Sequence, residues 1–266
     1  MLSVGRLRYL EATPGPDARP RGVLVLLHAF PLNARMWERQ LALSERGWRV
    51  IAPHFRGFDA GSGDPPAASI DDYAGDVVDL LDALHVHDAV VGGLSMGGYV
   101  AFALLRLASR YVRGLILADT KATADTPEGV EGRKRMIELV GAKGPAAVAE
   151  EMLPKLLGET TRRTRPAVVD RVRSLATSNS AEAIAGALRA LMTRPDSTAQ
   201  LAGIHVPTLI VVGDEDTVTP PSAAAEMHRG IAGSELVTIP EAGHLTNLEQ
   251  PEAFDAAMAH FLDHRV

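Results

Sequence analysis

Apolar residues along this chain fall into two kinds of run. The first is short and continuous. Val23 to Leu27 is apolar throughout, Arg49-Val50-Ile51-Ala52 stops at Pro53, and Ala89-Val90-Val91 leads into glycines. Val112 to Ala118 and Thr208 to Val212 extend the series, and Glu235 to Ile239 reads as a further strand. Runs of this length, bounded by turn residues, predict strands buried on both faces. The second kind repeats every three to four residues. Ile70, Tyr73, Val77, Leu80, Leu81 and Leu84 share one face of a predicted helix, with Ser69 as its N-cap and Asp71 and Asp72 in its first turn. Tyr99 to Leu107, a stretch beginning near Pro221, and Pro251 to about Leu262 read as further helices.

Strand and helix alternate, which predicts an α/β architecture: a doubly wound, mostly parallel sheet with helices on both faces. The alternation lapses between Asp125 and Arg194. That stretch is rich in Ala, Glu and Arg and is cut by Gly141, Gly144, Pro145, Pro154, Gly158, Pro166 and Gly186. It reads as about four helices inserted after a strand's C-terminal end, where open α/β sheets place their ligands. The division is therefore a core of residues 1–122 and 195–266 with a helical cap over 123–194.

Composition narrows the field. The 266 residues are 46% hydrophobic, enough for one large core. A net charge of −6 argues against a nucleic-acid partner, and Arg162-Arg163-Thr164-Arg165 reads as a solvated helix face. With no cysteine there is no disulfide, thiol nucleophile or Cys-bound metal. Met1 to Thr13 lacks the apolar centre of a secretion signal, and no run approaches the ~20 residues of a membrane span, so the expectation is a cytoplasmic protein. No heptad seam marks an oligomer interface.

The chemistry concentrates at Gly93-Leu94-Ser95-Met96-Gly97. A strand before and a helix after are the setting in which Gly-x-Ser-x-Gly becomes a nucleophile elbow, a strained turn that exposes the Ser hydroxyl. The plainer alternative is a glycine-rich turn with an incidental Ser. A nucleophilic Ser needs a general base and an acid to orient it. Of the nine His, only His244 lies in a loop between the last strand and the last helix, after Gly243. His228 falls within a helix, and His260 and His264 close the last one. The acid should follow Thr208 to Val212, where Gly213-Asp214-Glu215-Asp216 offers three carboxylates. Asp216 lies beyond the turn; Asp214 suits a turn role, Glu215 reads as exposed, and Asp119 is a further option. Two N–H donors should face the oxyanion. Met96 follows the nucleophile, and Phe30 is the best donor in His28-Ala29-Phe30-Pro31, because Pro31 has no N–H. His28 and Ala29 are candidate substrate contacts at the same strand end.

These residues resemble the α/β-hydrolase family along nearly the whole chain. The resemblance is carried by Leu27 to Pro31 with Trp37, by Arg56-Gly57-Phe58-Asp59-Ala60-Gly61-Ser62, by Gly93 to Gly98, by Gly213 to Pro220, and by Gly243-His244 with Leu248-Glu249-Gln250-Pro251 and Phe254. It looks most like the esterase and 3-oxoadipate enol-lactonase branch. It implies the α/β-hydrolase fold, a triad of Ser95, Asp216 and His244, an oxyanion hole at Phe30 and Met96, and hydrolysis of small to medium esters or lactones with neither cofactor nor metal. Carbon–carbon bond hydrolysis or cofactor-free perhydrolysis and haloperoxidase chemistry on the same triad is the alternative, and a non-catalytic small-molecule receptor the remote one. Ala29 stands where the family usually has Gly.

Overall fold

The continuous apolar runs become the inner strands of one sheet, and Glu235–Ile239 becomes an edge strand in which only Ile239 is buried. A computed structural model describes residues 2–4, 7–58 and 65–266; Asp59, Ala60, Gly61 and Ser62 of the quoted motif lie outside them. Among the described residues the strands are β1 (Leu2–Val4), β2 (Leu7–Ala12), β3 (Gly22–Leu27), β4 (Trp48–Pro53), β5 (Ala89–Leu94), β6 (Val112–Ala118), β7 (Thr208–Gly213) and β8 (Glu235–Ile239). They form one sheet in the order β1-β2-β4-β3-β5-β6-β7-β8. β2 pairs antiparallel with both β1 and β4 at one edge, and every other pairing, from β4–β3 to β7–β8, is parallel.

Alternate residues of each strand feed two cores, as the two-residue period of a strand demands. Val25, Leu27, Val91, Leu115 and Ile210 pack against α1 (Ile70–Ala83), α2 (Met96–Ala108) and, further along the chain, the helix Pro221–Gly230. Leu24, Leu26, Val90, Ile116 and Leu209 pack against Trp37, Trp48 and the final helix, Pro251–His264. α1 starts where its sequence signal places it: the Ser69 hydroxyl accepts the Asp72 N–H at 3.1 Å.

Between β6 and β7 the chain is helical: α3 (Pro127–Leu156), α4 (Glu159–Thr164), α5 (Pro166–Thr177) and α6 (Ala181–Met192). α3 turns sharply at Gly144, where φ is 76° and ψ is −179°, and Pro145 begins its second leg. Gly186, read from sequence as a break, sits inside α6 instead. Its missing side chain makes room for Pro66, whose Cβ would lie 2.3 Å from an added Cβ. The two ends of this helical segment are fastened together. Ser197 N–H donates to Ala122 O at 2.8 Å, Ala124 N–H to Asp196 Oδ2 at 3.0 Å, and Arg194 Nη2 to Thr123 O at 2.7 Å. Arg194 also pairs with Asp125 at 2.7 Å while its guanidinium covers the Tyr99 ring at 4.1 Å. After β7 come α7 (Pro221–Gly230), the single turn α8 (Thr246–Glu249) and α9 (Pro251–His264). Among the described residues, no helix is long and apolar enough to cross a membrane.

Candidate active site

Ser95 sits between the end of β5 and the start of α2 with φ 55° and ψ −113°. A non-glycine residue there carries backbone strain of about 1–3 kcal/mol. The turn holds because its neighbours lack side chains. A Cβ on Gly93 would lie 2.2 Å from Gly97 O, and one on Gly97 would lie 2.1 Å from Leu27 O. Gly98 brings α2 against Thr120, whose hydroxyl donates to Ser95 O at 2.9 Å. Ser95 N–H donates across the sheet to Ala118 O at 2.9 Å.

Residues far apart in the chain meet at this turn. His244, in the loop after β8, places Nε2 2.8 Å from Ser95 Oγ. Its Nδ1 lies 2.8 Å from Asp216 Oδ2, in the loop after β7. A carboxylate only accepts, so Nδ1 carries the proton and Nε2 presents a lone pair to the Ser95 hydroxyl. Asp216 is fixed from the other side. Its Oδ1 accepts Val218 and Thr219 N–H at 2.7 and 3.0 Å, and Oδ2 accepts the Thr219 hydroxyl at 2.7 Å. Thr219 Oγ1 is also 3.2 Å from His244 Nδ1, so the hydroxyl bridges the pair.

Charge follows geometry. His244 is fully buried, which opposes the imidazolium, yet the Asp216 charge and hydrogen bond prevail and raise its pKa above 6.5. Burial pushes Asp216 up, but the charge and hydrogen bond of His244 outweigh it and hold the carboxyl below its ordinary range. Asp119 behaves oppositely: burial, then the neighbouring Asp216 charge, push it up to about 7. Its two oxygens accept Gly213 N–H at 3.1 Å and Thr246 N–H at 3.1 Å, together with the Thr246 hydroxyl at 2.6 Å. It thus lies under both loops, and it is Asp216 that meets the imidazole.

The remaining candidates separate. Met96 begins α2, where an N–H has no carbonyl one turn back to bond. Phe30, in the loop after β3, makes no N–H hydrogen bond among the described residues. Ala29 is not among the positive-φ positions, so the missing glycine costs nothing there. His28 departs from the substrate contact read from sequence. Its side chain is fully buried, its Nδ1 donates to Ala29 O at 3.0 Å, and its Nε2 accepts Phe55 N–H at 3.0 Å. Burial holds its pKa down at about 3, so the ring stays neutral and braces the loop against Phe55 and Phe58. Glu215, read as exposed, is half-buried and accepts Thr160 N–H at 2.9 Å. Arg165, read as solvated, donates to Glu249 O.

A cavity of about 210 Å³ opens between Phe30 and the helical segment. Met136, Met152 and Leu188 form its apolar wall, and Arg135 and Lys155 stand among its polar residues. Val140, Leu153, Leu156 and Leu157 are instead buried in the cores.

Sequence reasoning overlooked two contributors. Thr219 bears a signal, since an Asx turn follows Asp216 directly. Glu249, fully buried, accepts N–H groups from both neighbours of His244. Burial outweighs those bonds and raises its pKa.

Comparison with known proteins agrees with this architecture. The sequence profile of the alpha/beta hydrolase family matches residues 24–257. The AB hydrolase superfamily protein YisY of Bacillus subtilis is 32% identical, covering 90% of each chain. The 3-oxoadipate enol-lactonase 2 of Acinetobacter baylyi is 29% identical, over 93% of this chain and 90% of its own. A thermophilic esterase from Thermogutta terrifontis superposes with a TM-score of 0.89 at 39% identity, covering 97% of this chain and 93% of that one.

Proposed function

The chain belongs to the alpha/beta hydrolase family, and on that premise we propose that it hydrolyses small to medium carboxylic esters or lactones through an acyl-enzyme on Ser95. The observation that carries this reading is the unbroken chain from Ser95 Oγ through His244 to Asp216, with both contacts at 2.8 Å. Relatives that act on esters and lactones support the substrate class.

The steps follow from the proton positions. Ser95 Oγ attacks the acyl carbonyl as its proton passes to His244 Nε2. The imidazolium that forms lies against the Asp216 carboxylate, which stabilises it. The N–H groups of Met96 and Phe30 face the oxyanion; the loss of one such donor typically costs about 3 kcal/mol. His244 returns the proton to the leaving alcohol, or to the alkoxide of an opened lactone. Water then attacks the acyl-enzyme with the same base, releasing the acid and free Ser95.

Residues 123–194 serve as a cap over the core of 1–122 and 195–266. The bonds that close its stem at Ala122–Asp125 and Arg194–Ser197 support that division, as does the cavity it forms with Phe30. On this reading the partner is a small-molecule ester or lactone, the class for which the enol-lactonase and esterase relatives are named.

Activity on a panel of p-nitrophenyl esters and lactones graded by acyl and alcohol size tests the reading. Ser95→Ala should lower turnover about 10⁴- to 10⁶-fold on every compound the wild type accepts. A variant that retains most of its activity would remove Ser95 from the mechanism.

A further inference from the structure

We propose that Glu249 is a positioning residue that makes the alignment of His244 depend on the seating of the helical insertion. The inference rests on the reading of Ser95 and His244 given above.

The loop Gly243-His244-Leu245 lies outside regular secondary structure, so its three N–H groups need partners elsewhere. Two find them on one carboxylate and the third on the end of α3. Gly243 and Leu245 donate to Glu249 Oε1 at 2.9 and 3.2 Å, and His244 donates to Leu156 O, at the end of α3, at 3.1 Å. The second oxygen of the same carboxylate, Oε2, accepts Gly158 N–H at 2.8 Å. One buried group therefore holds both flanks of the base with one oxygen and the insertion with the other.

The contact is made at backbone distance. A Cβ on Gly243 would stand 2.3 Å from Gly158 N, and a Cβ on Gly158 would stand 2.4 Å from Glu215 Oε2 and 2.9 Å from Gly243 N. Gly158 has φ −59°, and Gly243 is not among the positive-φ glycines, so closeness rather than torsion calls for glycine at both. The same corner of the insertion reaches the acid loop, where Glu215 accepts the Thr160 N–H and hydroxyl. The carboxylate is chemically specified as well. Three donors converge on it from two sides, and an amide offers only one acceptor oxygen. Glutamine would turn its NH₂ toward either the insertion or the base loop. Burying a carboxylate is costly unless it is hydrogen-bonded; the three N–H partners offset part of that cost, and burial still holds the Glu249 pKa up.

Two variants separate this role from simple support of the loop. Glu249→Gln can keep its oxygen on Gly243 and Leu245 while setting NH₂ against Gly158 N–H. Gly158→Ala leaves Glu249 intact and pushes the insertion off both Gly243 and Glu215. For each, kcat and KM on a short p-nitrophenyl ester are measured with the rate of Ser95 labelling by a fluorophosphonate and the downfield proton resonance of His244 Nδ1–H. Both variants should lose about tenfold or more in kcat and in labelling rate, as small misplacements of catalytic groups do. KM should change less than about threefold, with the resonance broadened or lost. The double variant should be little worse than the worse single one, since both cut one linkage. Wild-type kcat and an unchanged resonance in Gly158→Ala would overturn the coupling, even if Glu249→Gln fails to fold. A wild type left unlabelled at Ser95 would instead overturn the reading of the site on which the coupling rests.

Discussion

At the scale of single residues, one imidazole lies between a hydroxyl and a carboxylate under near-complete burial, and the proposed mechanism rests on that placement. Burial alone would drive the His244 pKa down, and the Asp216 charge reverses that. Since acylation needs the neutral imidazole, kcat/KM should rise with pH along a limb whose midpoint lies above the ordinary 6.5. Replacing Asp216 by Asn removes the charge but keeps the burial. The limb should then move to lower pH while kcat falls about 10⁴-fold; a profile from about pH 5 to 9 reads both effects. Much at this scale was legible. Among the late histidines, only His244 follows a glycine in a loop, and only Asp216 stands beyond the turn that Gly213 opens. His28 and Glu249 were not legible, because sequence says nothing of which buried N–H groups lack acceptors. Phe55 supplies a donor to His28, and Gly158, Gly243 and Leu245 supply theirs to Glu249.

At the scale of elements, the active turn is held by what its neighbours omit. Gly97 lies against the end of β3, and a methyl there would meet Leu27 O at 2.1 Å. Backbone cannot yield as a side chain tip can. Gly97→Ala should therefore destabilise the protein by roughly 3 kcal/mol or more and abolish activity in whatever folds; urea unfolding and ester turnover measure the two losses. Strands β3 to β7 were readable because strands buried on both faces are nearly all apolar, and β8, half-buried at the sheet's edge, because its short run lies between turn residues. β1 and β2 were not, because an edge hairpin of mixed residues, such as Leu7–Ala12, lacks that signature. Gly186 and Gly144 look alike in sequence, yet one packs against Pro66 inside α6 and the other bends α3. Only the tertiary neighbour tells them apart.

At the scale of the whole molecule, the parallel sheet carries Ser95, Asp216 and His244 to one rim, and the helical segment between β6 and β7 leaves and rejoins the sheet at a stem clamped by Arg194. That guanidinium is nearly buried and serves the Thr123 carbonyl, the Asp125 carboxylate and the Tyr99 ring together. Arg194→Ala should cost about 2–4 kcal/mol, less than a wholly orphaned buried partner, because Asp125 keeps Arg133. Chemical denaturation against wild type checks the figure. The central claim, that Ser95 is the nucleophile activated by His244, is tested most directly by reacting the intact protein with a fluorophosphonate and locating the adduct by peptide mass. A single adduct on Ser95, absent or much slower to form in His244→Ala, is the predicted result. An unmodified Ser95, or equal labelling with and without His244, would contradict it.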